Sequence, residues 1–203
     1  MSIVLTGCSV TSLAESSTPS GNVLFQDNFS DPSSGWLQGE DEFGLAEYSN
    51  SGFRIFISSE VSAKVSIPHL QFTDVRIEAD AAKIAGPDDN EFGVVCRYHD
   101  QDNFYFFTIS SDGYYGIGKY KDNKLTLIGM DKMQANDNIF QSEATNHLRA
   151  DCVGPKLSFY INGHKAAEVH DSDFSSGDVG LMAGTFKTPG TDILFDNVSV
   201  LKP

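Results

Sequence analysis

The sequence predicts an all-β protein, a two-sheet antiparallel sandwich of the jelly-roll type. From Val23 onward apolar and polar residues alternate along many short segments, which is the period of a strand with one buried face. Turn signals such as Ser111-Asp112-Gly113 and Asn162-Gly163 separate these segments and supply residues that tolerate positive φ, as tight hairpins require. Because no segment shows convincing helical periodicity, we expect strands throughout and one core within residues 22–203.

The alternation is clearest in two segments. Phe53, Ile55 and Ile57 share one face of the first, and Val75, Ile77, Ala79 and Ala81 share one face of the second. We predict further strands at 103–109, 114–120, 124–129, 156–161, 166–170, 178–183 and 192–201. Irregular structure is expected at 31–47, 86–90 and 131–145, with one short helical turn in the last of these.

The N-terminus contains a lipoprotein signature. Leu5-Thr6-Gly7-Cys8 matches a bacterial lipobox, in which Cys8 is the residue that receives the lipid. Only Met1–Leu5 stand before Thr6-Gly7-Cys8, fewer residues than the charged start and the apolar stretch of about 7–15 residues of a signal peptide, so we expect the true start upstream. Residues 9–21 are small and polar, as in a flexible tether. The prediction is an extracytoplasmic domain that meets the membrane only through a lipid at Cys8; the alternative is a chance Thr-Gly-Cys.

The charge excludes one class of partner. The chain has 14 Lys and Arg against 28 Asp and Glu, a net charge of -14, which repels phosphate backbones and argues against nucleic acid. Solubility outside the cell explains such acidity, and a structural Ca²⁺ ion is the sharper alternative. Asp27 and Asp196 lie on the predicted first and last strands and are the candidate ligands; no other cofactor is expected.

Two cysteines remain after Cys8. Cys96 and Cys152 both lie in predicted strands and share their faces with apolar neighbours, so both thiols are expected to point inward. In an oxidising compartment this pair is a disulfide candidate, with two buried free thiols as the alternative.

The C-terminal half resembles a known group of domains. The segments 146–150, 157–165, 177–181 and 193–200 are similar to the closing strands of concanavalin A-like lectin and glucanase domains, and laminin-G-like and 3-keto-disaccharide hydrolase domains carry similar series. The resemblance implies a concanavalin A-like sandwich over residues 22–203. Domains of this kind bind glycans, cleave them, or act as adhesive modules, so the fold alone does not choose a function.

The sequence lacks a complete glucanase motif. Retaining glucanases of this fold place three acids as Glu-x-Asp-x-Glu or Glu-x-Asp-x-x-Glu, and Glu78-Ala79-Asp80 supplies only the first two, because Ala82 and Lys83 occupy the positions of the third. The five histidines are scattered, and no Gly-x-Ser-x-Gly motif occurs. We therefore lean against an enzyme and assign no catalytic residue.

Aromatic residues are the best indication of a ligand, because sugar rings stack on aromatic side chains and their hydroxyls pair with polar ones. Phe104 and Phe106 share one face of a strand, and Tyr105 and Phe107 share the other. The sequence hypothesis is a glycan platform on one exposed face, although each aromatic could instead belong to the core and Trp36 could close the sandwich edge. Its candidate residues are Trp36, Arg97, Tyr105, Tyr114 and Tyr115.

The leading functional hypothesis is a non-catalytic module that binds a polysaccharide or glycan. The alternatives are a glycoside-processing enzyme of the 3-keto-disaccharide hydrolase type, which carboxylates clustered in one cleft would favour, and a structural or adhesion module, which a flat face with buried aromatics would favour.

Overall fold

The computed structural model describes residues 22–49 and 52–203, which form two antiparallel sheets. The lipobox with Cys8 and the predicted tether lie outside the described residues. Within the described part of the chain, no helix has the length and apolar character needed to span a membrane.

Nine strands form the first sheet. Its order is β14-β13-β12-β6-β16-β4-β3-β2, and β1 pairs with β16 beside this path. The strands are β1 (Val23–Asp27), β2 (Gly39–Asp41), β3 (Gly44–Ser49), β4 (Gly52–Ile57), β6 (Val75–Ala85), β12 (Thr145–Val153), β13 (Lys156–Ile161), β14 (His164–His170) and β16 (Thr191–Leu201).

Seven strands form the second sheet. Its order is β10-β9-β8-β7-β15-β5, and β11 pairs with β9 beside this path. The strands are β5 (Ser62–Ser66), β7 (Asn90–Asp100), β8 (Asn103–Ile109), β9 (Tyr114–Lys121), β10 (Lys124–Leu127), β11 (Gln134–Ala135) and β15 (Asp178–Thr185). The predicted all-β sandwich is confirmed.

The main core lies between the sheets and follows the predicted alternation. Ile55 and Ile77 from the nine-stranded sheet and Val94 and Phe107 from the seven-stranded sheet are fully buried in one continuous cluster. Cys96 of β7 and Cys152 of β12 form a disulfide inside this core. Since β7 and β12 belong to different sheets, the disulfide joins the two layers covalently.

Two segments expected to be irregular contain strands instead. The range 31–47 holds β2 and most of β3, which pair as Glu40 with Leu45 and Asp41 with Gly44. In the range 131–145, β11 pairs with β9 and no helical turn forms. Both strands lie at a sheet edge, where a few hydrogen bonds to one neighbour suffice and a long alternating pattern is not needed.

Candidate functional site

The outer face of the seven-stranded sheet carries its own apolar cluster, separate from the core between the sheets. Along β7, Val94 and Cys96 point into the main core, whereas Val95 points to the opposite face. Phe104, Phe106 and Met182 join Val95 there and are almost fully buried. The seven-stranded sheet is therefore apolar on both faces. The outer face is stabilised when other residues or a ligand cover it, since apolar surface is stabilised by removal from water.

Three aromatic rings form a row across neighbouring strands of this face. Phe104 of β8 lies opposite Tyr120 of β9 in the strand register, and their rings stack with centroids 5.1 Å apart. On the other side, the ring of Tyr98 from β7 lies 5.5 Å from Phe104. Phe104 is buried beneath its two neighbours, whereas Tyr98 and Tyr120 remain partly exposed. The row therefore presents two tyrosine rings to solvent above a rigid apolar base.

A cavity of about 620 Å³ lies over this row. Segment 37–43, which leads into the β2–β3 hairpin of the other sheet, forms one part of its lining. Val65 and Lys64 of β5 form a second part, and the turns that follow β7 and β9 supply Gln101, Asp102 and Asn123. Cavities of this size, apolar at the base with a few polar groups around them, are typical ligand sites.

The polar side chains of the cavity differ in whether they have protein partners. Asp41 is engaged, because Lys64 Nζ donates a 2.7 Å hydrogen bond to it and the backbone N–H of Phe43 donates another. These contacts lower the pKa of Asp41, the hydrogen bond from Lys64 being the largest cause, and keep the group ionised. By contrast, the carboxylates of Glu40 and Asp102 make no hydrogen bond or ion pair with any described residue. They are free to accept hydrogen bonds from a ligand.

A buried acid lies on the same sheet face, further along β7. Glu91 alternates with Val95 on the outer side and sits opposite Gly184 of β15. Burial raises the pKa of Glu91 to about 7, and its charge contributes, after burial, to the raised pKa of Tyr120. The acid therefore lies close enough to influence the aromatic row electrostatically, although it does not line the cavity.

Comparisons with known proteins give structural matches only. No protein-family model matches the chain, and no curated protein matches it. A carbohydrate-binding module, CBM66 from Bacillus subtilis, superposes with a TM-score of 0.66 at 19% identity, covering 83% of this chain and 96% of that one. A Bacillus subtilis protein of unknown function with a galectin-like fold gives a TM-score of 0.64 at 12% identity, with coverage of 90% and 96%. The GH16 protein of the Bacteroides ovatus mixed linkage glucan system, in complex with a G4G4G3G product, gives 0.62 at 10% identity, with coverage of 88% and 100%.

The chain has the concanavalin A-like jelly-roll fold. These matches extend over more than four fifths of the chain and over nearly the whole of each of the three proteins, so the likeness is to the complete sandwich. At 10–19% identity the matches establish the fold, and the function rests on the residues of the site.

The platform hypothesis required Trp36 to be exposed on the surface, and the structure places it in the core instead. Its side chain is 3% exposed, packs against Phe29 and Phe53, and donates a 2.9 Å hydrogen bond from Nε1 to Asp27. The residue closes the sandwich edge, which was the alternative interpretation. Asp27 also accepts hydrogen bonds from Ser34 Oγ and from the backbone N–H of Phe29.

The proposed pairing of Asp27 with Asp196 as metal ligands is not supported by their contacts. Both oxygens of Asp27 are occupied by the hydrogen bonds above, and Asp196 accepts one from the backbone N–H of Asn197. Among residues 22–49 and 52–203, no group of three or more His, Cys, Asp or Glu side chains could hold a metal ion.

Arg97 and Tyr105 are buried and cannot contact a glycan. Arg97 lies in a bulge of β7 with φ of 53°, so its guanidinium turns away from the cavity and donates to the carbonyl of Phe174 and to Asp74. Tyr105 occupies the core side of β8, and its hydroxyl donates a 2.6 Å hydrogen bond to Asp171. The predicted division of β8 into two faces was right, but the face that lies outside the main core, beneath the cavity, is that of Phe104 and not that of Tyr105.

The last two candidates lie on β9, away from the cavity. Tyr115 packs against Phe159 of the core and donates to the carbonyl of Ala166. Tyr114 is 43% exposed and has the same strand parity as Tyr120, but it lies six residues away, roughly 20 Å along the strand. The sequence nevertheless contained signals for the observed site: the acidic run 40–42 and the polar turn 100–103 both contribute to it.

Proposed function

We propose that this chain is a non-catalytic carbohydrate-binding module, with its glycan site in the cavity on the outer face of the seven-stranded sheet. A sugar ring would stack on the exposed parts of Tyr98 and Tyr120. Its hydroxyls would donate to Glu40 and Asp102 and exchange hydrogen bonds with the amides of Gln101 and Asn123, which also line the cavity.

The observation that carries this proposal is the aromatic row beneath an open polar rim. The rings of Tyr98 and Tyr120 each pack on Phe104 and form an apolar platform of fixed shape, so a sugar binds without ordering the platform. Likeness to a carbohydrate-binding module and to a glycan-bound structure supports the same assignment at the level of the fold.

The incomplete glucanase motif supports a binding function over a hydrolytic one. Glu78 and Asp80 lie on β6 of the nine-stranded sheet, whereas the aromatic row belongs to the other sheet. Asp80 is engaged there by His147 Nδ1 at 2.8 Å and by Asn197 Nδ2 at 3.0 Å. The two acids of the motif thus serve a surface network, and the pKa of Asp80 is lowered, mainly by its hydrogen bond with His147.

One observation favours the glycoside-processing alternative. Three acidic residues, Glu40, Asp41 and Asp102, line the cavity, and the carboxylates of Glu40 and Asp102 have no partner among the residues that the structure describes. An enzyme would release shorter sugars from an oligosaccharide that it binds. Oligosaccharides that bind the chain should therefore be incubated with it and analysed by mass spectrometry. The proposed binding module leaves them intact.

The test of the binding proposal is a glycan-array screen with three variants of the full chain. Tyr120→Ala removes a stacking ring, and Asp102→Ala removes a hydrogen-bond acceptor of the cavity. Tyr114→Ala is the control, since Tyr114 is an exposed tyrosine of the same strand outside the cavity. We expect the first two to lose at least about tenfold in affinity, which corresponds to ~1.4 kcal/mol, and the control to bind normally. Asp102→Ala guards against misfolding because the carboxylate of Asp102 makes no hydrogen bond or ion pair with any residue that the structure describes. Equal affinity of all three variants for a bound glycan would place its site elsewhere.

We further infer that the module is extracytoplasmic and anchored through a lipid on Cys8. The disulfide between Cys96 and Cys152 supports an oxidising compartment. Mass spectrometry of the protein purified from the membranes of its natural host should find a diacylglyceryl group on Cys8. Absence of the lipid from a mature chain that retains Cys8 would contradict the anchor.

A further inference from the structure

The charges around the cavity are unbalanced. Its described lining residues include three acids, Glu40, Asp41 and Asp102, and one basic residue, Lys64. Lys64 is committed to Asp41 through an ion pair of 2.7 Å, so it does not offset the other two charges. Within the described part of the chain, the cavity lining therefore offers a ligand two acids without an ion-pair partner, Glu40 and Asp102, and no unpaired cation.

The surroundings extend this negative field. Asp100 lies in the same turn as Asp102, and both carboxylates, together with Asp178, contribute to the raised pKa of Tyr98 after the larger effect of burial. The hydroxyl of Tyr98 is thus close enough to sense these acids from within the aromatic row. The whole chain carries a net charge of -14, which adds a repulsive potential for any anion that approaches.

We propose that this cavity selects glycans that lack anionic groups and rejects uronic acids and sulfated sugars. The inference rests on the proposed glycan-binding function and specifies its ligand class. Glu40 and Asp102 are its specificity-determining residues, because they accept hydrogen bonds from neutral hydroxyls or from the ammonium of an amino sugar, but can only repel a carboxylate.

The physical reason is a difference in desolvation. A neutral hydroxyl that leaves water for the cavity recovers a hydrogen bond to Glu40 or Asp102, and a bond to a charged acceptor is stronger than a neutral one. A sugar carboxylate would lose water and find no donor cation, since the ammonium of Lys64 is already used. The discrimination between neutral and acidic sugars therefore follows both from the acids Glu40 and Asp102 and from the engagement of Lys64 by Asp41.

The test compares sugars of equal length that differ only in charge. Isothermal titration of the full chain with cellotetraose and β-1,4-mannotetraose is set against their C6-carboxylate counterparts, tetraglucuronate and tetramannuronate, and against a glucosamine tetramer. We expect at least one neutral or amino tetramer to bind, and each bound neutral sugar to exceed its acidic counterpart at least tenfold at low salt. A smaller ratio at high salt is expected because ions screen exposed charges.

Two variants locate the source of the discrimination. In the double variant that combines Glu40→Gln and Asp102→Asn, the ratio of the affinity for a neutral sugar to that for its acidic counterpart should fall at least threefold. The reason is that the amides retain hydrogen bonding without charge. Asp89→Asn is the matched control: Asp89 is exposed and precedes the opposite end of β7, roughly 30 Å away, so its ratio should not change.

The outcomes separate the two proposals. Acidic tetramers that bind as tightly as neutral ones would overturn the charge selectivity and leave the glycan-binding function standing. An unchanged ratio in the Glu40 and Asp102 variant would overturn their assignment as specificity residues. Failure of every tetramer to bind, together with an array without any bound glycan, would overturn the binding function and this inference with it.

Discussion

At the scale of single residues, Glu91 couples the stability of the sandwich to pH. Burial raises its pKa to about 7 from the ordinary value of 4.5. Between these two pH values the native state retains a proton that the unfolded chain has released, so the free energy of unfolding falls as the pH rises. Below about pH 4.5 both states are protonated and the effect vanishes. A shift of this size corresponds to about 3 kcal/mol across the window.

Substitution of Glu91→Gln should remove this dependence. The difference in the free energy of unfolding, variant minus natural chain, should be about 3 kcal/mol larger at pH 8 than at pH 4. Urea unfolding of both proteins at both pH values measures it. His147, whose pKa is raised mainly by Asp80, also weakens stability at rising pH, but it is present in both proteins and cancels in the comparison. A constant difference between the two proteins would show that Glu91 ionises normally.

The candidate site could be predicted only in part at this scale. Strand parity correctly separated Phe104 and Phe106 from Tyr105 and Phe107, but parity does not say which face of a doubly apolar strand contacts the other sheet. That choice depends on the packing of whole layers. Arg97 was misplaced for a different reason, because the bulge after Cys96 reverses the alternation that an uninterrupted strand would have.

At the scale of elements, β9 and β8 pack closely on the outer sheet face at Gly118. Gly118 lies beneath the ring of Phe106, and a Cβ atom on Gly118 would be 2.2 Å from Phe106 Cζ. Phe106 is itself buried and lies 6.0 Å from the ring of Tyr120, so it has little room to move and supports the aromatic row. The absence of a side chain at residue 118 is therefore a packing requirement of the site.

We expect Gly118→Ala to destabilise the protein by about 1–3 kcal/mol, the usual cost of overpacking, and to weaken glycan binding by displacing Phe106 and Tyr120. Thermal unfolding and titration with a bound oligosaccharide measure the two effects. Gly39→Ala is the control for stability, because a Cβ atom there would meet no atom within 4 Å. Equal stability of the two variants would mean that the Phe106 ring accommodates the methyl group freely.

The long central strands were predictable, whereas the short hairpin beside the cavity was not. β6 and β16 bury every second residue over much of their length, which leaves a clear pattern in the sequence. β2 has three exposed residues and no such pattern; it is held by pairing with β3 and by the contact of Asp41 with Lys64 of β5. The position of β2 depends on its tertiary partners. The part of the cavity wall that β2 forms could therefore not be predicted from the sequence.

At the scale of the whole molecule, the disulfide is the covalent link between the two layers. It closes a loop between residues that are 56 positions apart and joins β7 to β12 within the core. Restriction of the unfolded chain by a loop of this length is worth about 4 kcal/mol in the chain-entropy model. The inward orientation of both cysteines followed from their apolar neighbours, which is why the pair could be proposed from sequence.

Replacement of both cysteines by alanine should therefore lower the free energy of unfolding by about 4 kcal/mol, measured by urea unfolding without reductant. The natural chain unfolded in excess dithiothreitol should approach the same value. A double variant that is as stable as the oxidised protein would show that packing alone holds the layers together.

An amide NMR titration of the full chain with a bound tetrasaccharide shows whether the cavity over Tyr98, Phe104 and Tyr120 is a glycan site. We expect saturable shifts at residues 38–41, 98–104 and 120–123, and no shifts at Tyr114 or in the strands of the nine-stranded sheet away from β2 and β3. Shifts confined to the face that carries Glu78, Asp80 and His147, with none around the aromatic row, would contradict it.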